Sequence, residues 1–210
     1  VYFFFFFNRN LSGEWTAELD MTEQSVVTAL DWLLVMEAVS VSVQDMEAHM
    51  QGLTVKLDLT LEQTARSGGT FVSTVQQESY AACSQAAYEA FAAVFRELVA
   101  DRLRMAGYTG NTDAEAVEAL VVQTFGMPTV SYLMTCVPDL LPPLEDLQTQ
   151  YGGSGTYETA EDILTRQSDS GSLIRTRTER FIRKDTTLIL TEETASATPG
   201  NLAGHYPMIY

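Results

Sequence analysis

Hydrophobic and polar residues alternate in several segments on either side of the middle of the chain, and this pattern is typical of strands that bury one face. Near the start, Trp15, Ala17, Leu19 and Met21 alternate with polar residues. They predict a first strand over about 14–21.

The clearest alternation is the segment LTVKLDLTL at 53–61, in which every second residue is Leu or Val. The turn sequence RSGG follows at 66–69, and the strand-like segment TFVSTV comes directly after it. We therefore predict a β-hairpin over 53–76.

Helical spacing of apolar residues replaces alternation after Thr22, which is a good N-cap residue. It predicts a helix over about 23–37. The segment 39–43 fits either a short strand or a loop, and 44–51 fits one or two further helical turns.

The middle of the chain, 79–150, is rich in alanine and shows no alternation. Apolar residues at helical spacing predict a long helix over about 80–106, a second over about 113–125 and a third over about 129–149. Three prolines interrupt the third region, so two short helices are the alternative there.

Strand-like sequence returns after the glycine-rich segment 151–155. It predicts one hairpin that turns near 160–162 and another that turns at Lys184-Asp185. The tail is loop-like up to Tyr206, where it either adds a final strand or ends irregularly. Pro207 would confine such a strand to an edge of the sheet.

These elements predict an α+β fold: an antiparallel sheet or partial barrel with a three-helix insertion between its N- and C-terminal strands. We expect residues 11–210 to form a single domain, with the helical insertion at about 79–150.

Five consecutive phenylalanines, Phe3 to Phe7, lie in an apolar run of seven residues, which is far shorter than the roughly 20 residues that cross a bilayer. The run fits the end of an anchor or signal segment, a buried first strand, or sequence foreign to the protein. We favour the first and interpret 1–10 as the remnant of an N-terminal membrane anchor or signal segment. This interpretation predicts an extracytoplasmic protein that is membrane-anchored or secreted.

The formal net charge is −16, from 28 acidic and 12 basic residues. Such a charge repels phosphate backbones and anionic lipid headgroups, so it excludes nucleic acid as a partner and leaves membrane contact only to the anchor. Half of the basic residues lie within 166–184. This cationic segment either balances the acidic helices or contacts an anionic ligand.

Two further features point to a family. Gly13 and Trp15 form a Gly-x-Trp motif in the first strand, and GTYETAEDILT and TTLILT follow much later in the chain. This combination resembles the small lipocalin-like (calycin-like) domains found behind an N-terminal anchor in Gram-positive bacteria. The resemblance implies a barrel that a helical insertion can interrupt, and an extracytoplasmic location.

Motifs for common catalytic chemistry are absent: the sequence has no phosphate-binding glycine loop, nucleophile elbow or zinc-protease helix signature. His49 and His205 are the only histidines, and we interpret both as surface residues. Cys83 and Cys136 fit two buried free thiols or one disulfide. We predict no metal site, no cofactor and no catalytic residue.

Two classes of function remain. The first is a non-catalytic extracytoplasmic or envelope-associated module that binds a small apolar ligand or another protein. The second is a carboxylate-dependent hydrolase acting on glycans, which needs two acidic groups in one cleft. The candidate ligand-binding residues are Trp15, Phe71, Tyr157, Phe181, Arg175, Arg177 and Arg180.

Overall fold

The structure is a computed structural model that describes residues 10–35, 41–169, 174–192 and 206–210. The strands in these ranges are β1 (Gly13–Asp20), β2 (Thr54–Ala65), β3 (Gly68–Val75), β4 (Gly153–Ala160), β5 (Ile163–Asp169), β6 (Ile174–Lys184), β7 (Thr187–Glu192) and β8 (Met208–Ile209). The helices are α1 (Thr22–Val35), α2 (Val43–His49), α3 (Gln77–Met105), α4 (Ala114–Phe125), α5 (Thr129–Cys136) and α6 (Leu144–Tyr151). The phenylalanine run and His205 lie outside the described residues.

All eight strands belong to one antiparallel sheet in which spatial order follows chain order, from β1 to β8. The sheet is a nearly closed barrel. The α+β prediction is therefore confirmed, and so is the central expectation that strands from both ends of the chain share one sheet. Burial alternates along β1 and β3 as the sequence pattern requires.

The predicted hairpin turns lie close to their expected positions. Asp185 follows β6 with a left-handed backbone (φ 52°), and Glu161 follows β4 in the same way (φ 56°). Gly69, which the sequence places in a turn, instead lies inside β3. A Cβ there would stand 1.8 Å from the carbonyl oxygen of Glu62, so close approach of two strands explains this glycine.

The chain divides into two compact units. Unit 1 falls within 1–19, 55–77 and 144–210 and contains nearly all of the sheet together with α6. Unit 2 falls within 20–54 and 78–143 and contains α1 to α5. The expectation that 11–210 form a single domain stays a prediction.

In unit 1, α6 is attached to the end of β3 by its side chains and backbone. The Gln148 amide accepts from the backbone N–H of Val75 at 3.1 Å and donates to its carbonyl at the same distance. Ser73 donates to the carbonyl of Tyr151 at 2.8 Å. These contacts fix the C-terminal end of α6 beside the sheet.

In unit 2, the long predicted helix is α3, and its apolar stripe buries Tyr88 and Phe91. The Asp113 side chain caps α4 by accepting from the N–H of Ala116 at 2.8 Å. Gly126 ends that helix with a left-handed backbone (φ 75°), as its position after the apolar stripe predicts.

The third predicted helix forms two short helices, α5 and α6, because the prolines between them cannot continue a helix. Ser42 caps α2 through Asp45, so helix rather than strand begins at Val43. Residues 39 and 40 of the segment 39–43, and the end of the predicted helix over 23–37, lie outside the described residues.

Candidate functional site

A buried ion pair lies on the inner face of the barrel, where β5 and β6 run side by side. The Nε of Arg166 donates to Oε2 of Glu179 at 2.8 Å, and its Nη2 donates to Oε1 at 2.7 Å. The side chains are 4% and 0% exposed. In the register of the two strands, Glu179 stands directly opposite Leu164, which is two residues before Arg166. Arg166 and Glu179 are therefore diagonal neighbours on the same face of the sheet.

Tyrosines complete this network. The hydroxyl of Tyr206 donates to the same Glu179 Oε1 at 2.7 Å, so both carboxylate oxygens are occupied. Burial raises the pKa of Tyr206, and the nearby Glu179 charge raises it further. Burial also raises the pKa of Tyr210 to about 12, although Arg166 opposes the shift. Both tyrosines therefore stay protonated at neutral pH.

The ion pair remains charged despite its burial. Burial alone raises the pKa of Glu179, but the charge and hydrogen bonds of Arg166 outweigh it, and the pKa falls below its ordinary value of 4.5. Burial likewise lowers the pKa of Arg166, and Glu179 reverses the shift to a net increase. A carboxylate held in this way does not donate a proton in acid catalysis.

The four aromatic residues predicted to bind a ligand all face the interior of unit 1. Trp15, Phe71, Tyr157 and Phe181 are 7%, 5%, 3% and 8% exposed. The guanidinium of Arg166 lies 5.5 Å from the ring centroid of Phe71. These aromatic side chains are packed within the barrel.

One end of this interior carries a second stacked cation. The guanidinium of Arg183 lies 5.5 Å from the ring centroid of Trp15, and it also donates to the backbone carbonyl of Asn10. The indole nitrogen of Trp15 donates to the carbonyl of Leu11 at 3.0 Å. Trp15 is thus buried, and its indole N–H is satisfied within the protein.

The three arginines predicted as ligand contacts do not form one cluster: Arg175 and Arg177 meet at the end of α6, and Arg180 lies apart from them. Arg175 and Arg177 donate to the carbonyls of Thr149 and Gln150, at 2.5 and 2.6 Å, in the last turn of α6. Such carbonyls carry the partial negative charge of a helix C-terminus. Arg180 lies on the other face of β6, where it forms an ion pair with Asp162. These three arginines thus have their partners within unit 1, in helix carbonyls and the carboxylate of Asp162.

The sequence predictions missed the Arg166–Glu179 pair, although a signal for it exists. Arg166 shares strand parity with buried Leu164, and Glu179 shares it with buried Phe181, so both charged residues occupy inward positions. Two opposite charges at inward positions of consecutive strands indicate an interior ion pair.

Unit 2 carries a connected row of aromatic rings, which we call the aromatic row: Trp32 on α1, Phe95 on α3, Tyr132 on α5 and Phe125 on α4. Successive ring centroids are 6.2, 6.1 and 4.2 Å apart. Trp32 also packs edge-on against buried Phe91 at 5.9 Å. The first three rings are partly exposed and Phe125 is 45% exposed, so all four rings reach the surface of unit 2.

Apolar surface continues at both ends of the aromatic row. Val122 precedes Phe125 by one helical turn and is 41% exposed. Val35 follows Trp32 by one turn and is 80% exposed. The indole nitrogen of Trp32 donates to the carbonyl of Cys136 at 3.1 Å, which ties α1 to the end of α5.

Exposed apolar side chains are concentrated in unit 2. Among the described residues, twelve large hydrophobic side chains are exposed, and nine of them belong to this unit. The same unit contains fourteen acidic residues and three arginines, a formal charge of −11. Unit 2 thus combines exposed apolar side chains with a strong negative charge.

A groove of about 440 Å³ lies beside α3 in the same unit and is lined by charged residues of both signs and by alanines. Arg104 donates to Asp101 at 2.5 Å and to Thr112 at 3.0 Å, and Arg96 donates to Glu118 at 2.9 Å. The arginines of the groove therefore already have acidic partners.

Neither cysteine forms a disulfide. Cys83 is buried, as expected, but Cys136 is exposed, which corrects the expectation of two buried thiols. Within the described residues, no group of three or more His, Cys, Asp or Glu side chains is placed to hold a metal ion. Over the same residues, no helix combines the length and apolar character needed to cross a membrane.

Comparison of the chain with protein-family models, with curated proteins and with solved structures finds no match. The nearly closed antiparallel barrel is compatible with a calycin-like fold.

Proposed function

We propose that the protein is a non-catalytic, extracytoplasmic binding module, and that it binds another protein through the exposed apolar surface of unit 2. The observation that carries this proposal is that nine of the twelve exposed large hydrophobic side chains in the described residues belong to that unit. Interface cores are enriched in aromatic residues and in large apolar side chains.

A small apolar ligand inside the barrel has weaker support. The four aromatic residues that would line its cavity are each less than a tenth exposed. Two of their rings are covered by guanidinium groups, those of Arg166 and Arg183. An incoming apolar ligand would have to displace these cations and the packed side chains, which costs free energy.

Hydrolysis by carboxylates also has weaker support. A glycosidase acid needs a raised pKa, so that it is protonated at working pH. The described acidic residues with a resolved pKa shift are Asp45, Asp113, Glu118 and Glu179, and every shift is downwards. Binding is therefore the function that the electrostatics favour.

The calycin-like relationship and the extracytoplasmic location are part of the same proposal. The barrel is compatible with the first, and the phenylalanine run supports the second. A topology reporter fused after Tyr210 tests the location in the producing cells, with alkaline phosphatase active only outside the cytoplasm and green fluorescent protein fluorescent only inside. Fluorescence without phosphatase activity would reject it.

Site-specific photo-crosslinking tests the binding surface. Benzoylphenylalanine replaces Phe125 in unit 2 or, as the control, Ile182 in unit 1, which is 57% exposed. We expect a discrete protein adduct from position 125 and none from position 182, and we expect Phe125→Ser to weaken binding of that purified partner. Equal adducts at both positions, or none at either, would contradict the proposal.

A further inference from the structure

We infer that the partner element is a cationic amphipathic helix that lies on the aromatic row of unit 2. This inference rests on the proposed function and specifies its binding surface and its partner. The apolar side of such a helix would cover the rings, and its lysines or arginines would face the surrounding acids.

The dimensions of the aromatic row suit a helix. Its three centroid steps of 6.2, 6.1 and 4.2 Å extend over at most roughly three turns of α-helix at about 5.4 Å per turn. Val35 and Val122 each lie one helical turn from an end residue of the row and are themselves exposed. Partner anchors spaced three and four residues apart would therefore each meet an apolar side chain.

The backbone of this surface favours a helix over an added strand. The row is carried by α1, α3, α4 and α5, whose N–H and carbonyl groups are mostly used within the helices. A strand binds mainly by pairing its backbone with a free sheet edge, and four helices do not offer such an edge. Side-chain packing is the interaction that they do offer.

The charge of unit 2 indicates that its partner is positively charged. Unit 2 has fourteen acidic residues against three arginines. Arg96, the neighbour of Phe95 in the chain, is held by Glu118 at 2.9 Å, while exposed Asp31 adjoins Trp32. A second copy of this chain would bring a like charge of −11 to the same surface, so it is disfavoured.

Designed peptides test this inference. The probes are an 18-residue amphipathic peptide of leucine and lysine, its leucine–glutamate counterpart, and a leucine–lysine peptide of the same composition without helical periodicity. Affinities are measured by fluorescence anisotropy with the full chain. We expect binding by the first peptide only, and a loss of binding at higher salt.

Matched variants locate the binding. Phe125→Ser and Val122→Ser should each weaken binding of the leucine–lysine peptide at least tenfold, whereas Ile182→Ser in unit 1 should leave it unchanged. Circular dichroism checks that α4 still forms, and two separate variants guard against a local loss of structure. Equal binding to all three variants would show general charge attraction and overturn the inference.

Other outcomes separate this inference from the proposed function. If position 125 crosslinks to a protein but the leucine–lysine peptide does not bind, the surface is correct and the cationic helix is wrong. If light scattering shows a dimer that Phe125→Ser dissociates, the occupant is a second copy and the inference fails. If neither crosslinking nor peptide binding depends on Phe125, both proposals fail.

Discussion

Replacing Glu179 by glutamine isolates the energetic role of the ion pair inside the barrel. The substitution keeps the volume and removes the negative charge. It leaves the Arg166 guanidinium, which is 4% exposed, without its counterion. The amide retains a carbonyl that accepts one bond, but it places an NH₂ group where a guanidinium nitrogen or the Tyr206 hydroxyl now donates.

The expected loss of stability is large because the remaining charge, that of Arg166, is buried. Removal of one member of a buried ion pair costs about 3–5 kcal/mol in free energy of unfolding. With a urea m-value of about 2 kcal/mol per molar, this corresponds to a midpoint lower by about 1.5–2.5 M. Replacing both members, as Arg166→Met with Glu179→Leu, should restore most of the loss, since no buried charge remains.

Urea unfolding followed by tryptophan fluorescence measures these changes. Trp15 lies in unit 1 and Trp32 in unit 2, so a Trp32→Phe background leaves one reporter in the same unit as the ion pair. Ile182→Gln, an exposed substitution on the outer face of β6, is the control and should shift the midpoint little.

The difference in unfolding free energy between wild type and Glu179→Gln depends on pH, and the direction of that dependence follows from the pKa of Glu179. The pKa of Glu179 is lower in the folded protein than its ordinary value of 4.5. The ionised carboxylate therefore stabilises the folded state fully at pH values above 4.5. This stabilisation is lost as the pH falls through the folded-state pKa of Glu179. The difference between wild type and Glu179→Gln should therefore be constant near neutral pH and shrink only under acid conditions. A cost below about 1 kcal/mol, or no change in acid, would refute the reasoning.

Three further predictions concern other parts of the chain. Glu118→Gln should cost about 1–3 kcal/mol in urea unfolding, because its carboxylate accepts bonds at 2.6, 2.9 and 2.9 Å; an unchanged midpoint would contradict this. Gly69→Ala should cost at least about 2 kcal/mol, since the new Cβ would stand 1.8 Å from the Glu62 carbonyl oxygen; Gly69→Ala with wild-type stability would refute that contact. Exposed Cys136 should react with Ellman's reagent in the native protein. Cys83 is buried, and burial raises the pKa of its thiol to about 11, so it should react only after unfolding. Rapid reaction of both thiols in the native protein would contradict the structure.

The strands and helices were predictable because their signals are local. Alternation over 53–61 and the spacing of apolar residues over 80–106 record which face each element buries. The Asp113 cap and the Gly126 stop are local as well, and both lie where the sequence places them. Gly69 shows the limit of this approach: its role depends on a neighbouring strand, whereas local sequence indicates only a turn.

The candidate sites were less predictable because they depend on register and on tertiary packing. Arg166 and Glu179 meet only because Leu164, rather than a neighbouring residue, stands opposite Glu179. A shift of one residue would turn one charge outwards. The aromatic row joins four helices and spans about a hundred residues of sequence, so no window of the chain contains it.

The two units differ in where their charges are satisfied, and this difference bears on where a partner would bind. In unit 1, Arg166, Arg175, Arg177 and Arg180 each have an acidic or carbonyl partner within the same unit. In unit 2, three arginines face fourteen acidic residues, so most of its negative charge has no basic side chain of its own unit to pair with. Water and salt screen that charge in the free protein, and a cationic surface would replace them on binding. The unit that exposes most of the apolar surface is thus also the unit whose charge attracts a basic partner, and the two properties point to one class of ligand.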